Sequence, residues 1–318
     1  MNSNGFALRI KYLAALGLAW LLLGLPLASW AQSQGPSASG TLGTVGSDTM
    51  AGLMLRWGEA LTTEHPDINV QFQASGSASA PPALLAGTTR IGPMSRRMTD
   101  EERDAFVERY GYPPLELRVA RDALIVIVHR HNPLPAISLK DVDAIFSTTR
   151  ACGSERSVSR WEALTPGDEG PSGPIALHGR NITSGTYGLF RQRLLCDGDF
   201  RPDISEYMGA SAVVAAVGES YAAMGYSGYN HLTPSVRALP LATEQGNAVP
   251  PSETAIQSGE YPLSRYLYVY VNLPPGESLP SAERAFLDLV MSAEGQQITR
   301  AAGFVPLPLD ALEAQRAW

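Results

Sequence analysis

Apolar and polar residues alternate along this chain in short blocks that predict strands and helices in turn. Short apolar or alternating runs predict strands at 41–45, 68–72, 124–128, 175–177, 224–228 and 266–271. Apolar residues at helical spacing predict helices at 50–61, 141–146, 187–195, 211–217 and 282–302. A capping box, Thr99 with Glu102, marks the start of another helix. Such alternation is typical of an α/β protein.

Small polar residues fill four of the predicted strand-to-helix junctions, at 46–49, 74–79, 91–96 and 179–186. The first backbone N–H groups of a helix have no partner within the helix and attract anions. In the last junction Arg180 adds a permanent charge, and Gly185 has no side chain to keep a ligand away. The pattern predicts one shared site for a tetrahedral oxyanion. The alternative is four capped helices after ordinary turns.

The first residues have the features of a secretory signal peptide. Arg9 and Lys11 precede an apolar run over 12–27, which is short for a membrane span, and polar residues follow Ala31. We predict cleavage near Ala31, with residues 1–31 removed and the mature protein exported. The chain carries a net charge of −7 and has no Lys/Arg-rich run, so nucleic acid is not an expected partner.

Two cysteines, Cys152 and Cys196, lie on either side of a loop-rich segment. Cysteines of an exported protein can pair, so we predict a disulfide between them. The excursion over 148–173 is rich in Gly, Ser, Arg and Pro, with Trp161 as its expected anchor. The histidines do not cluster with the cysteines, and no metal or other cofactor is expected.

Several short motifs, taken in their order and spacing, resemble the substrate-binding proteins of phosphate ABC transporters. They are 46–50, 95–96, 145–147, 184–186, 225–226, 261–265, 294–296 and 303–307. The resemblance implies a two-lobed periplasmic binding protein fold of type II, with the ligand in the interlobe cleft. It implies a periplasmic monomer that captures inorganic phosphate and delivers it to the permease of an ABC importer, without catalysis.

The resemblance also implies which residues form each lobe and which bind the ligand. Residues 32–118 with 255–318 form one lobe, and residues 119–254 form the other. The phosphate-binding groups that carry over are Asp48, Thr49, Ser77, Ser95, Arg180, Ser184, Gly185 and Thr186. Arg96 is expected to point outward from the start of its helix.

Two positions depart from the best-known relatives, which place aspartates where this chain has Ser95 and Ile182. Those carboxylates accept the proton of hydrogen phosphate and reject sulfate, so Asp48 is our candidate for that role unless it merely caps its helix. A binding protein for another oxyanion, sulfate- or molybdate-like, is one alternative. A secreted phosphate-binding or phosphatase-like protein without a transporter is another, although Ser227 lacks the final glycine of a nucleophile elbow.

Overall fold

A computed structural model describes residues 38–165, 170–242 and 247–316 of the chain. The predicted signal peptide, residues 1–31, lies outside the described residues. Among the helices that are described, none combines the length and the apolar character that crossing a membrane requires.

Strands and helices alternate over most of the described chain. The strands are β1 (Gly40–Val45), β2 (Ile68–Gln73), β3 (Ile91–Met94), β4 (Leu115–His129), β5 (Ile137–Ser138), β6 (Ala176–Arg180), β7 (Ser205–Tyr207), β8 (Ala223–Gly228), β9 (Val236–Ala238), β10 (Leu241–Ala242), β11 (Ala248–Val249) and β12 (Ser264–Val271). The α-helices are α1 (Ala51–Glu64), α2 (Ala80–Ala86), α3 (Asp100–Tyr110), α4 (Leu139–Phe146), α5 (Gly185–Leu194), α6 (Ala210–Glu219), α7 (Glu253–Ser258), α8 (Ser281–Val290), α9 (Ala293–Ala301) and α10 (Leu309–Glu313).

One mixed sheet runs through the molecule in the order β2-β1-β3-β12-β4-β8-β6-β7, with β9 paired to β4. Parallel pairs form its two ends, β2-β1-β3 and β8-β6-β7. The antiparallel strands β12 and β4 join those ends. The sheet pairing therefore agrees with an α/β fold built in two halves.

Apolar side chains of the two halves pack into separate clusters. The first core contains Trp57 of α1 and Phe286 of α8, and the second core contains Trp161 and Phe190. A smaller cluster around Phe106 covers the opposite face of the first half. Along β12, side chains at odd and even positions enter different clusters, as the two-residue repeat of a strand requires.

The boundary between the first and second cores falls within the strands that cross from one half to the other. In β4, Ala120 belongs to the first core and Ala123 to the second. Where the chain crosses back at the start of β12, Leu263 belongs to the second core and Leu267 to the first. The β12–β4 register shifts close to that crossing point: Leu267 pairs with Ala120 and Tyr268 with Arg118, so Val119 of β4 is the extra residue.

The predicted strands and most of the predicted helices are confirmed, while one strand was predicted too short. The apolar run 124–128 is the second half of β4, which begins at Leu115. The first half of β4 contains several polar and charged residues, so the sequence pattern did not predict a strand there. Those side chains are accommodated because residues of β12 interact with them. Arg121, for example, donates to the Tyr266 hydroxyl at 2.6 Å.

The C-terminal helical stretch divides into α8 and α9 at a polar break that periodicity does not reveal. Ser292 caps the second helix by accepting a hydrogen bond from the backbone N–H of Gly295 at 3.0 Å. The turn-rich stretch after residue 233 also holds more order than predicted, since it includes β9, β10, β11 and α7.

The Cys152–Cys196 disulfide is present, as predicted, and closes a loop with a sequence separation of 44. Closing a loop of that length restricts the unfolded chain, so we expect the Cys152→Ser/Cys196→Ser variant to lose about 2–4 kcal/mol of unfolding free energy. Urea unfolding of the oxidised wild type and the variant measures the difference. Reducing agent should destabilise the wild type and leave the variant unchanged; equal sensitivity in both would contradict this account.

Candidate anion-binding site

Three of the four small-polar turns are joined to each other by backbone hydrogen bonds. The first two follow the carboxyl ends of β1 and β2, and the third, 91–96, contains β3; these three strands lie side by side in the sheet. The N–H of Ser47 donates to the Pro93 carbonyl at 2.8 Å, and the N–H of Gly76 donates to the Gly46 carbonyl at 2.9 Å. A side chain at Gly46 would overlap the Pro93 carbonyl, so this close approach needs glycine.

The fourth turn connects β6 to α5 in the other half of the sheet. Ser184 caps α5, its hydroxyl accepting from the N–H of Thr186 at 3.1 Å. The helix begins at Gly185, close to the prediction from sequence. By contrast, Met50, the residue before α1, provides no side-chain cap. The hydroxyl of Ser47 accepts from the Met50 N–H at 3.4 Å.

Turns from the two halves meet at one buried junction. The hydroxyl oxygens of Thr49 and Thr186 lie 3.2 Å apart, and those of Ser77 and Ser95 also lie 3.2 Å apart. A Cβ at Gly185 would fall 2.3 Å from the Ser77 hydroxyl oxygen and 2.4 Å from that of Ser95. The junction therefore closes around a helix N-terminus that has no room for a side chain.

A second backbone contact holds the same junction together. The N–H of Ala78 donates to the Thr183 carbonyl at 3.2 Å. Gly76, with a φ of +101°, lies so close to Thr183 that a Cβ would fall 2.4 Å from its carbonyl oxygen. The second turn is therefore packed directly on the fourth.

Arg180 supplies the positive charge of this junction. Its Nη2 donates to the carboxylate of Asp48 and, at 2.5 Å, to the Met208 carbonyl, while Nε donates to the Tyr207 carbonyl at 3.2 Å. The side chain is fully buried, and burial lowers the pKa of the guanidinium to about 10, so it remains protonated at neutral pH. The structure thus brings all eight predicted residues together.

Several buried polar atoms here have no hydrogen-bond partner among the described residues. In the Arg180–Asp48 pair they are Nη1 of Arg180, a donor, and Oδ1 of Asp48, an acceptor; beside that pair they include Oδ1 of Asp122 and Nε2 of His231. Buried polar groups are normally paired, because leaving one unpaired costs the desolvation of that group. A bound anion that carries one proton could satisfy both atoms of the Arg180–Asp48 pair.

A second buried ion pair lies next to the first, and the sequence patterns did not identify it as part of the site. Arg265 donates to Oδ2 of Asp122 from Nε at 3.0 Å and from Nη2 at 2.6 Å. Its Nη1 donates to the Thr186 hydroxyl at 3.1 Å. Two signals were available: Arg265 lies in the family motif 261–265, and Asp122 is a charged residue two positions before the apolar run 124–128.

Tyr226 and His231 surround the same charges. The Tyr226 hydroxyl accepts from the backbone N–H of Arg180 at 3.0 Å, and burial raises the pKa of the tyrosine. Burial also lowers the pKa of His231; Asp122 opposes that shift, whereas Arg180 and Arg265 add to it. His231 is therefore a neutral neighbour of the two guanidinium groups at pH 7.

Two further positions from the sequence analysis lie outside this group of contacts. Ile182 is 73% exposed, so its side chain does not enter the buried junction. Arg96 does not point outward as predicted. It forms a bidentate pair with Glu102 at 2.6 and 2.7 Å, and its Cδ lies 3.4 Å from where a Cβ on Gly188 of α5 would stand.

The arrangement provides hydroxyls, helix-terminal amides and a guanidinium, which together suit an oxyanion. No group of three or more His, Cys, Asp or Glu side chains placed to hold a metal ion occurs in residues 38–165, 170–242 and 247–316.

The chain is similar to known proteins over nearly its whole length. Residues 31–294 match the model of the PBP superfamily domain. The phosphate-binding protein PstS of Pseudomonas aeruginosa is 44% identical over 94% of this chain and 93% of its own length. The protein SphX of Synechococcus elongatus is 28% identical over 91% of this chain and 86% of its own length.

Solved structures show the same fold at lower identity. An ABC-type phosphate transport receptor from Vibrio cholerae superposes with a TM-score of 0.66 at 20% identity, covering 84% of this chain and 100% of that one. A phosphate-binding protein from Stenotrophomonas maltophilia gives 0.64 at 15% identity, covering 87% and 93%. The fold is the two-lobed fold of these binding proteins. By its match to the superfamily and its identity to the Pseudomonas protein, this chain belongs to the PstS family of phosphate-binding proteins.

Proposed function

We propose that this protein binds inorganic phosphate between its two lobes and delivers it to an ABC importer. The observation that carries the proposal is the buried Arg180, whose free Nη1 lies at the junction where hydroxyl-bearing turns of both halves meet. The names of the relatives, phosphate-binding protein and phosphate transport receptor, support the same ligand. The protein is a solute-binding protein, and it performs no chemistry on the ligand.

Each predicted site residue has a role in this proposal. Arg180 supplies charge, the amides near Thr49 and Gly185 point to the anion, and the hydroxyls donate hydrogen bonds. The hydroxyl donors are Thr49, Ser77, Ser95, Ser184 and Thr186. Because the site excludes bulk water, fixed donors of this kind can compete with hydration for a small dianion.

We propose that the two lobes correspond to the two halves of the sheet with their cores. By that criterion the first crossing lies between Ala120 and Ala123 of β4, slightly later than the boundary at 118/119 given by the sequence analysis. Residues 255–263, which the sequence analysis gave to the first lobe, go to the second in this proposal. The reason is that Ile256, Tyr261 and Leu263 belong to the second core.

The remaining parts of the proposal concern location and partners. Proteins of the PstS type act outside the cytoplasm. We infer a signal peptide over residues 1–31, cleaved near Ala31, and a periplasmic monomer whose macromolecular partner is the permease of the importer. A net charge of −7 without a basic run supports the expectation that nucleic acid is not bound.

Calorimetry of the mature protein with phosphate, sulfate, molybdate and a phosphate monoester tests the ligand, and Gly185→Ala tests the site. The added methyl group would overlap the Ser77 and Ser95 hydroxyls. Displacing two charge-assisted hydrogen bonds should weaken phosphate binding by roughly 100-fold or more.

Gly209→Ala is the matched control for that variant, since nothing lies within 4 Å of a Cβ at that position. It should change phosphate affinity by less than about threefold, or roughly 0.6 kcal/mol. Equal affinities for Gly185→Ala and Gly209→Ala would exclude this junction as the site. No phosphate binding by the wild type would exclude the proposed function itself.

We further propose that Asp48 distinguishes phosphate from sulfate, because its Oδ1 can accept the proton that hydrogen phosphate carries and sulfate lacks. Asp48→Asn should lower the ratio of phosphate to sulfate affinity on the order of 100-fold, since the amide can donate to either anion. Competition calorimetry measures the ratio.

Thr49→Val serves as the control for Asp48→Asn. It removes a neutral hydroxyl donor that both anions can use, so it should weaken both and leave their ratio nearly unchanged. A ratio that stays at the wild-type value in Asp48→Asn would remove Asp48 from the role of proton acceptor.

A further inference from the structure

The buried Arg265–Asp122 pair connects the strands that cross between the halves to a hydroxyl of the proposed site. Arg265 on β12 and Asp122 on β4 face each other in the antiparallel register. Their side chains are 4% and 1% exposed. They lie at the crossing points, since the core membership changes between residues 120 and 123 on β4 and between 263 and 267 on the return.

Every nitrogen of the Arg265 guanidinium has a protein acceptor. Nε and Nη2 donate to Oδ2 of Asp122, and Nη1 donates to the Thr186 hydroxyl oxygen. Asp122 also balances the charge of Arg265. Arg265 is therefore placed to act on the ligand through Thr186, in contrast to Arg180, whose Nη1 has no partner among the described residues.

The hydrogen bond from Arg265 limits the directions in which the Thr186 hydroxyl can donate. A guanidinium can only donate, so the Thr186 oxygen must be the acceptor in this pair. The hydroxyl proton of Thr186 is then free to point away from Arg265, toward the side where the Thr49 hydroxyl lies at 3.2 Å. That side is the junction of the four turns.

We infer that Arg265 and Asp122 are positioning residues for phosphate binding: together they hold Thr186 as a hydrogen-bond donor to the anion. The inference rests on the proposed function and adds to it two residues outside the four turns. It makes the crossing strands part of the site, because the group that orients Thr186 belongs to β12 and is anchored on β4.

A mutant cycle with Thr186 separates this role from a general effect on folding. Arg265→Gln alone leaves the Asp122 carboxylate buried and unpaired, so the main variant is the paired replacement Asp122→Asn/Arg265→Gln, which removes both charges. It is combined with Thr186→Val, which lacks the hydroxyl, and with Thr186→Ser, which keeps it. Phosphate affinity is measured by calorimetry, and thermal unfolding without ligand reports the stability of each variant.

The paired replacement should weaken phosphate binding about tenfold in the wild type and in the Thr186→Ser background, as expected for one misdirected hydrogen bond. In the Thr186→Val background it should change the affinity by less than about threefold. Arg121→Gln is the control on the same strand, because Arg121 contacts Ile256 and Tyr266 and should leave the affinity unchanged.

Two results would overturn the inference. One is an equal loss of affinity in the Thr186→Val and Thr186→Ser backgrounds, which would mean that the pair acts elsewhere. The other is wild-type affinity in the paired replacement. Either result leaves the proposed function intact provided the wild type binds phosphate, whereas a wild type that binds none rejects the function before the cycle begins.

Discussion

The contact between Arg180 and Asp48 is the interaction on which the site depends. A guanidinium taken out of water is costly unless it is paired and hydrogen-bonded. Here the carboxylate comes from the turn after β1, whereas the carbonyl acceptors, Tyr207 and Met208, come from the half of the sheet that contains Arg180. The charge is therefore fully compensated only when turns of both halves are in place. One donor and one acceptor remain for a guest.

Local patterns predicted most elements and favoured a shared site over four ordinary turns, whereas the binding residues came from the family resemblance. Strand ends in a parallel sheet lie at one edge, which accounts for the meeting of the first three turns but not of the fourth. Strands and side-chain orientations that depend on residues distant in sequence could not be predicted from local patterns. The polar first half of β4 is a strand because β12 pairs with it, and Arg96 points inward because Glu102 holds it against α5. Arg265 stood within a recognised motif, yet only the fold brings it to Thr186.

The two departures from the best-known relatives have different structural consequences. Ser95 remains inside the site, where its backbone N–H donates to the Ser77 hydroxyl at 2.9 Å, so a neutral network occupies that position. Ile182 is on the surface, so its side chain is not part of the buried contacts. Under the proposed function, selection between anions falls to Asp48 of the first turn, whose carboxylate contacts the Arg180 guanidinium. An ion pair that is part of a site can shape selectivity without adding net charge.

The unpaired Val119 in β4, opposite the Leu267–Tyr268 step of β12, has a consequence for motion. An extra residue of this kind bends its strand and interrupts the ladder of hydrogen bonds, here where the two strands cross between the halves. Sliding of β4 along β12 would break the whole ladder of hydrogen bonds between them. Bending of the two strands together keeps the ladder. Opening and release would then draw on elastic deformation of β4 and β12, and the same register would return after each cycle.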